Sequence, residues 1–525
     1  MKKPKEKHLE MTMNETAQLF HVSSITISNW VKEGFLDLDE NHHITRDSIQ
    51  RFQKKYAGKI KLQARANKLH KDAFDANEVG RFVQQELKSD SFDRSLGDRY
   101  EAMLSESYKN KEGVFYTPMP IVDDMMRDVE VGADTMFLDP CCGTGNFLVK
   151  AVEKGVNPEH LYGFDTDPNA VLIARKRIKS LTGYDAPNIV CADFFQEYSK
   201  LNVQFDLAFT NPPWGKKLPK EERIKLVKQY QAGNSTDTCS LFLFSILSVL
   251  NPNGIVGLLM PESFFNIAVY EDARKAVLRK TILKIKDYGK PFKNMYSACS
   301  IIVQNNEYDG SGTVVCVNGG DEYERMQRSF FAMPKHILNY WTKSPEMAFI
   351  EQLMRQPFIT LKGHASWGLG IVTGNNATRC KRSRRGGLKA VYRGKDILPG
   401  RLLPAKLFIN PKDFPRYQQM ASLEMLHAPV KLIYRFISSD LVFYCDTRQR
   451  YILNSANMLV LDNAFPLSAN QLAGLMNSPL TNWLFRQLFH THKVLRGDLE
   501  VLPIFTDLSL HRSFDLLNLN GQSFE

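Results

Sequence analysis

Between Met136 and Lys154 the chain passes from an apolar triplet through a turn of small residues into a helical stretch, and this succession constrains the fold most. Met136-Phe137-Leu138 reads as a strand that Asp139-Pro140 ends. Cys141-Cys142-Gly143-Thr144-Gly145 carries only small side chains, and its glycines let backbone approach a ligand closely. Asn146 to Lys154 continues with helical periodicity. Strand, glycine turn and helix in that order open a doubly wound α/β sheet, whose ligands bind at the carboxyl ends of the strands.

The next strands place polar groups at the same edge. Leu161-Tyr162-Gly163-Phe164 ends in Asp165, an acid placed to accept both hydroxyls of a ribose. Asn188-Ile189-Val190-Cys191 runs into Ala192-Asp193-Phe194-Phe195; Asp193 can accept a hydrogen bond from an adenine amino group, and Phe194 can stack on the ring. Phe205-Asp206-Leu207-Ala208-Phe209 ends in Thr210-Asn211-Pro212-Pro213-Trp214. Singly, Asp165 could be a helix cap and Phe194 a core residue. The ordered set of strand ends is much harder to produce by chance.

In this combination the sequence resembles the amino-methylating DNA methyltransferases. Asp139-Pro140-Cys141-Cys142-Gly143-Thr144-Gly145 looks like their first motif, and Asn211-Pro212-Pro213-Trp214 like their catalytic motif. Gly113-Val114-Phe115-Tyr116-Thr117-Pro118 looks like the element that closes over the methionine end of the cofactor. That element precedes the first motif and a long region follows, an order similar to the gamma class with its type I modification subunits and type IIG enzymes. The resemblance implies a Rossmann-like class I methyltransferase sheet and S-adenosylmethionine as cofactor. Tyr116, Thr117, Pro118, Asp139, Pro140, Gly143, Gly145, Asn146, Asp165, Asp193 and Phe194 are the implied cofactor residues. Asn211, Pro212, Pro213, Trp214 and Phe292 are the implied catalytic ones, with Tyr296 the alternative to Phe292 as a second wall for the base.

The catalytic motif suits its chemistry. An exocyclic amine is a poor nucleophile because its lone pair is delocalised into the ring. The Asn211 side-chain oxygen and the Pro212 carbonyl can accept both amino hydrogens, which favours a tetrahedral nitrogen aimed at the methyl group. The effect is one of orientation and electrostatics. The prolines stiffen the turn, and Trp214 offers a flat face. A base inside a duplex must be flipped out to reach such a site. Methylation at cytosine C5 needs a cysteine nucleophile, and the Pro140-Cys141 pair sits inside the cofactor turn. Enzymes acting on cytosine N4 usually begin the motif with Ser, so Asn211 favours adenine. A cytosine-N4 DNA or RNA methyltransferase, or a DNA-binding regulator with a vestigial methylase fold, is the alternative.

Four domains are predicted: 1–58, a helical linker 59–112, the methyltransferase domain 113–315, and an α+β target-recognition domain 330–525. In the first, Asn14 is placed to cap one short helix, and a turn and a second helix from Ile25 to Glu33 follow, closed by Gly34. His43-Ile44-Thr45 would form a wing, before a third helix from Arg46 to Phe52. The segment resembles the winged helix-turn-helix of the MerR and excisionase type, which implies Thr26, Ser28, Asn29 and Lys32 as groove-facing residues. Docking to protein is the competing role. Glu86-Leu87-Lys88, with Asp75 upstream, fits a nuclease pattern, but its surroundings read as helix. Only about 110 residues precede Gly113. A modification enzyme without nuclease is therefore expected, with a separate restriction endonuclease as a possible partner.

Trp367 to Asn376 is a Gly-rich stretch, and with Val391-Tyr392-Arg393-Gly394 it resembles the start of the recognition domain of type IIG enzymes. Leu472 to Leu484 and Leu502-Pro503-Ile504 resemble its closing part. From Arg379 through Lys406 there are ten Lys or Arg and one acid, Asp396, a balance suited to phosphate contact. Arg382, Arg384 and Arg385 are the candidates, for backbone or guanine. With its own recognition domain, the chain is expected to need no separate specificity subunit. The net charge of +11 is compatible with double-stranded DNA. Eight cysteines without a CxxC pair suit reduced thiols and no metal. No apolar run reaches the roughly 18 residues of a membrane span, and no signal peptide follows the basic start, so a cytoplasmic location is expected.

Overall fold

A computed structural model describes residues 11–20, 24–32, 36–39, 42–56, 76–89, 91–104, 115–216, 218–292 and 297–519. The chain divides into two compact units, one of residues 1–124, 129–197 and 213–216, the other of 125–128, 198–212 and 217–525.

The first unit begins with the helices Met13–Phe20, Ser24–Lys32 and Arg46–Tyr56. The first is capped by Thr12 rather than Asn14. Thr12 Oγ1 accepts from Glu15 N (3.2 Å) and the Glu15 carboxylate accepts from Thr12 N (2.8 Å), the reciprocal capping box that a Thr-x-x-Glu spacing permits. Ile44 forms single antiparallel bridges with Met11 and Leu38, as a small wing would. Trp30 and Phe52 pack 4.4 Å apart at the centre, with Ile27, Leu36 and Ile49 around them. Ser28 is half-buried; the side chains of Thr26, Asn29 and Lys32, and Gly34, lie outside the described residues.

The described residues 76–89 and 91–104 of the segment expected to be a linker contribute to a core. Helices Ala76–Glu86 and Leu96–Met103 bury Val79, Val83, Leu96 and Tyr100 against Ala170 and Ile173 of helix Pro168–Thr182. Tyr100 Oη donates to Asp167 (2.6 Å), and Lys176 Nζ to the Ser91 carbonyl (2.7 Å). The nuclease-like Glu86 ends a helix and pairs with Arg99 at 2.5 Å; Asp75 lies outside the described residues. Three parallel strands follow: β1 (Phe137–Asp139), β2 (Leu161–Asp165) and β3 (Ile189–Cys191), with Asp139 opposite Gly163 and Asp165 opposite Cys191.

The second unit holds β4 (Phe205–Thr210), β5 (Leu250–Pro261), β6 (Lys280–Asp287), β7 (Ala298–Glu307), β8 (Thr313–Asn318) and β9 (Asp321–Met326). β4 and β5 are parallel, with Thr210 opposite Leu258, and β7 is antiparallel to both β5 and β6. Within the first unit the strands are ordered β3-β2-β1, and within the second β4-β5-β7-β6-β8-β9. β4 buries all but one residue, as a parallel strand covered on both faces must.

Beyond residue 330 come β10 (Ala365–Leu369), β11 (Lys389–Tyr392), β12 (Ile397–Leu398), β13 (Arg401–Leu402), β14 (Leu407–Ile409), β15 (Lys431–Arg435), β16 (Phe443–Asp446), β17 (Tyr451–Ile452) and β18 (Ala456–Leu461). They form an antiparallel sheet β10-β18-β15-β16, a triplet β14-β11-β17 and a pair β12-β13. Gly370 is required by its surroundings: a Cβ there would collide with the Leu453 and Ala456 carbonyls. Helices Ala469–Met476 and Pro479–Phe489 follow, each N-capped by a serine. No helix among the described residues is long and apolar enough to cross a membrane.

Candidate active site

The cofactor turn is held by its own backbone. Cys141 N donates to the Asp139 carboxylate (3.2 Å), Cys142 N to the Phe164 carbonyl (2.8 Å) and Gly143 N to Asp165 Oδ2 (2.8 Å). Gly143 has φ 49° and faces the Tyr116 ring, with which a Cβ would collide. Gly145, at φ 85°, is the N-cap of helix Asn146–Glu153. Both positions demand glycine for conformation as well as space.

Asp165 closes β2 and is no cap. That task falls to Asp167, whose Oδ1 accepts from Asn169 N (2.9 Å) and Ala170 N (3.4 Å). The Asp165 carboxylate instead receives Gly143 N and Asp167 N (2.9 Å), leaving acceptor capacity on both oxygens. Burial pushes this carboxyl up to about 6, while the two backbone N–H groups pull the other way. Asp193 is half-buried, and its Oδ1 accepts from Phe195 N at 2.9 Å.

Two of the expected cofactor residues are engaged with protein. Phe194 is 1 % exposed and packs edge-on to Phe164 at 5.3 Å. Asp193 starts a short helix, and that turn directs the next side chain into the core. Asn146 spends both ends of its amide on protein. Its Nδ2 donates to the Thr117 carbonyl (2.8 Å) and its Oδ1 accepts from Arg177 (2.7 Å). It therefore ties the Tyr116-Thr117-Pro118 segment to the first motif.

Arg177 was missed by the sequence reading. It is fully buried, donating to the Thr144 carbonyl (2.7 Å), to Asn146 and to the Arg94 carbonyl (3.0 Å). Burial pushes its guanidinium down to about 10, so it stays charged at neutral pH. A signal existed: Ala170, Ile173, Ala174, Arg177 and Ile178 form one apolar helical stripe interrupted by the arginine.

The catalytic turn leaves β4 after the buried Thr210. Asn211 is half-buried, Pro212 buried, Pro213 and Trp214 half-buried, and Gly215 ends the turn at φ 67°. Within the second unit Pro261 and Glu262 leave β5 at the edge where Asn211 and Pro212 leave β4. Phe292 is 7 % exposed, between β6 and β7; Tyr296 lies outside the described residues, as do Gly113 and Val114. Cys142, within the first motif, is buried, which pushes its thiol well up. Arg382, Arg384 and Arg385 are all exposed, and none is paired with a carboxylate among the described residues.

A Rossmann-like sheet with acids on its strand ends and an Asn-Pro-Pro-Trp turn defines an amino-methyltransferase. More particularly, the chain belongs to the N-6 DNA methylase family, whose profile matches residues 91–342, and is a site-specific DNA methyltransferase. Residues 389–504 match a TaqI-like C-terminal specificity domain. The type II methyltransferase M.VspI of Vibrio sp. (strain 343) is 40 % identical over 390 residues, 74 % of this chain and 96 % of that protein. The modification methylase CviBIII of Paramecium bursaria Chlorella virus NC1A is 25 % identical over 219 residues, 41 % of this chain and 55 % of that protein. The type IIL restriction-modification enzyme MmeI in complex with DNA shares the fold at TM-score 0.52 and 11 % identity, over 77 % of this chain and 70 % of that one. So does the DrdV–DNA complex, at TM-score 0.51 and 13 % identity over 97 % and 65 %.

Proposed function

We propose that the chain transfers a methyl group from S-adenosylmethionine to N6 of an adenine flipped out of double-stranded DNA, at sites chosen by its own C-terminal domain. The observation that carries this is the Asn211-Pro212-Pro213-Trp214 turn at the carboxyl end of a parallel strand, on a chain of this family.

The residues of the turn fit such a cofactor. Asp165 can accept two ribose hydroxyls, Gly143 leaves room where a side chain would collide, and Thr117 Oγ1 is buried without a hydrogen-bond partner among the described residues. Bound there, the sulfonium would supply an electrophilic methyl group. Asn211 Oδ1 and the Pro212 carbonyl would accept the two amino hydrogens of the base, and Trp214 would hold its ring. The exposed Arg382, Arg384 and Arg385 would meet phosphates or base edges, and the N-terminal helices would add DNA contact through Ser24–Lys32. Work as modification enzyme alone, without nuclease or separate specificity subunit and in the cytoplasm, completes the reading.

Hydrolysing treated DNA to nucleosides and measuring N6-methyladenine tests it. Asn211→Ala should lower the rate by about 10²–10³-fold, the effect of removing one preorganised polar contact to the reacting group. N4-methylcytosine in its place, or an unchanged rate in the variant, sinks the assignment.

A further inference from the structure

Ile437 is the most exposed large apolar side chain among the described residues, at 64 %. It does not sit on a slack loop. It follows directly on β15, and its neighbours are bonded on both sides: Phe436 N donates to the Ser455 carbonyl (3.0 Å), Val494 N to the Phe436 carbonyl (2.8 Å) and Ser438 N to the His492 carbonyl (3.1 Å). Ile437 itself bridges Lys493 in antiparallel register. A two-segment ribbon, 436–438 against 492–494, thus presents a β-branched side chain of restricted rotamers to solvent.

The root of the ribbon lies at the catalytic edge of the second unit. Asn266, just beyond β5, donates to the Phe489 carbonyl (2.8 Å), and His490 reaches Glu262 at 3.7 Å. Glu262 leaves β5 beside the exit of Asn211 and Pro212 from β4. Two residues past His490 come the exposed His492 and Lys493. The one acid on the facing segment, Asp440, is neutralised by Arg486 at 2.6 Å. An apolar tip on a cationic ribbon matches a duplex, with phosphates outside and stacked bases within.

We propose that this ribbon enters the DNA beside the target, with Lys493 on a phosphate and Ile437 filling the space that the departing adenine leaves in the stack. The inference rests on the base-flipping reading above. Once the methylated site is mapped by sequencing, single-turnover methylation is compared on a fully paired duplex and on the same duplex with an abasic site opposite the target. The second substrate has already lost the pairing that flipping must break. Ile437→Ala should slow the paired duplex by about 10- to 100-fold, as expected when a contribution toward unstacking is lost. The deficit should shrink to under about threefold on the abasic duplex, with DNA affinity nearly unchanged. Because the side chain is exposed, the substitution leaves folding intact. Equal losses on both duplexes, or none, overturn the proposal. So does a parent that self-associates through Ile437, seen as a mass in solution that falls in the variant. A parent that makes no N6-methyladenine on either duplex defeats the reading of the reaction instead.

Discussion

Replacing Arg177 by Met tests whether the cofactor turn is organised from behind. The change removes three hydrogen bonds from a fully buried cation, to Thr144 O, Asn146 Oδ1 and Arg94 O. Three buried acceptors without partners cost about 1–2 kcal/mol each, or about 3–6 kcal/mol together. Against this, the guanidinium no longer has to be buried. Its fall from 12.5 to about 10 corresponds to about 3 kcal/mol of penalty for the charged form. The net loss of stability is then about 0–3 kcal/mol, a fall of up to about ten degrees in Tm at about 2–4 °C per kcal/mol. Cofactor affinity should suffer more than this suggests, because Asn146 loses the partner that fixes its amide and the Thr117 segment loses its anchor. Calorimetric titration should show a cofactor Kd raised about tenfold or more, the scale seen when groups that orient direct ligands are removed. Ile173→Val, in the same buried stripe, is the control: about 0.5–1.5 kcal/mol less stable, with unchanged cofactor affinity. A destabilised Arg177→Met that binds cofactor as the parent does would refute the reasoning and leave Arg177 a packing residue.

The remaining predictions concern single sites. If only ionised Asp165 accepts the ribose, its value of about 6 makes cofactor affinity fall about tenfold from pH 7 to pH 5, and Asp165→Asn should flatten that profile in titrations across the range. The sign is distinctive: a carboxyl raised above its unfolded value of 3.8 makes the free fold less stable as pH rises from about 4 to 6, so acid unfolding by this group would not mimic the effect. Lys431 and Asp446 are wholly buried, 3.5 Å apart, and burial pushes the lysine down. Lys431→Met should destabilise the C-terminal domain by roughly 3–5 kcal/mol in thermal unfolding, since a carboxylate loses a buried partner; a shift below about 1 kcal/mol would mean that Arg450, 2.9 Å away, suffices. Changing Arg382, Arg384 and Arg385 together to Ala should reduce the slope of log K against log salt by up to about 2.7, at about 0.9 per phosphate contact. An unaltered slope would mean that these arginines do not touch the backbone.

The local parts of the site were legible in the sequence. An apolar triplet, a turn of small residues and a helix can be read within twenty residues, because strand and turn propensities are properties of neighbours in the chain. The same holds for the acids at successive strand ends and for the Asn-Pro-Pro-Trp turn, whose prolines restrict it from within. The capping box was missed at Thr12 because Asn14 was also an acceptable cap by residue type, and only the hydrogen bonds separate the two.

Other assignments turned on what lies across space. Phe194 and Trp214 both follow strand ends, yet one is sealed against Phe164 and the other remains half-exposed. The partners of the Asn146 amide, Arg177 and Thr117, each about thirty residues away in sequence, are visible only in the fold. Nor does residue type mark Ile437 as exposed; the ribbon formed with Lys493 does that. The sequence by itself thus determined the order of the strands' chemistry and the nature of the catalytic turn. Tertiary structure decided which of those side chains are free to act, because burial and the pairing of polar groups depend on partners that no local pattern specifies.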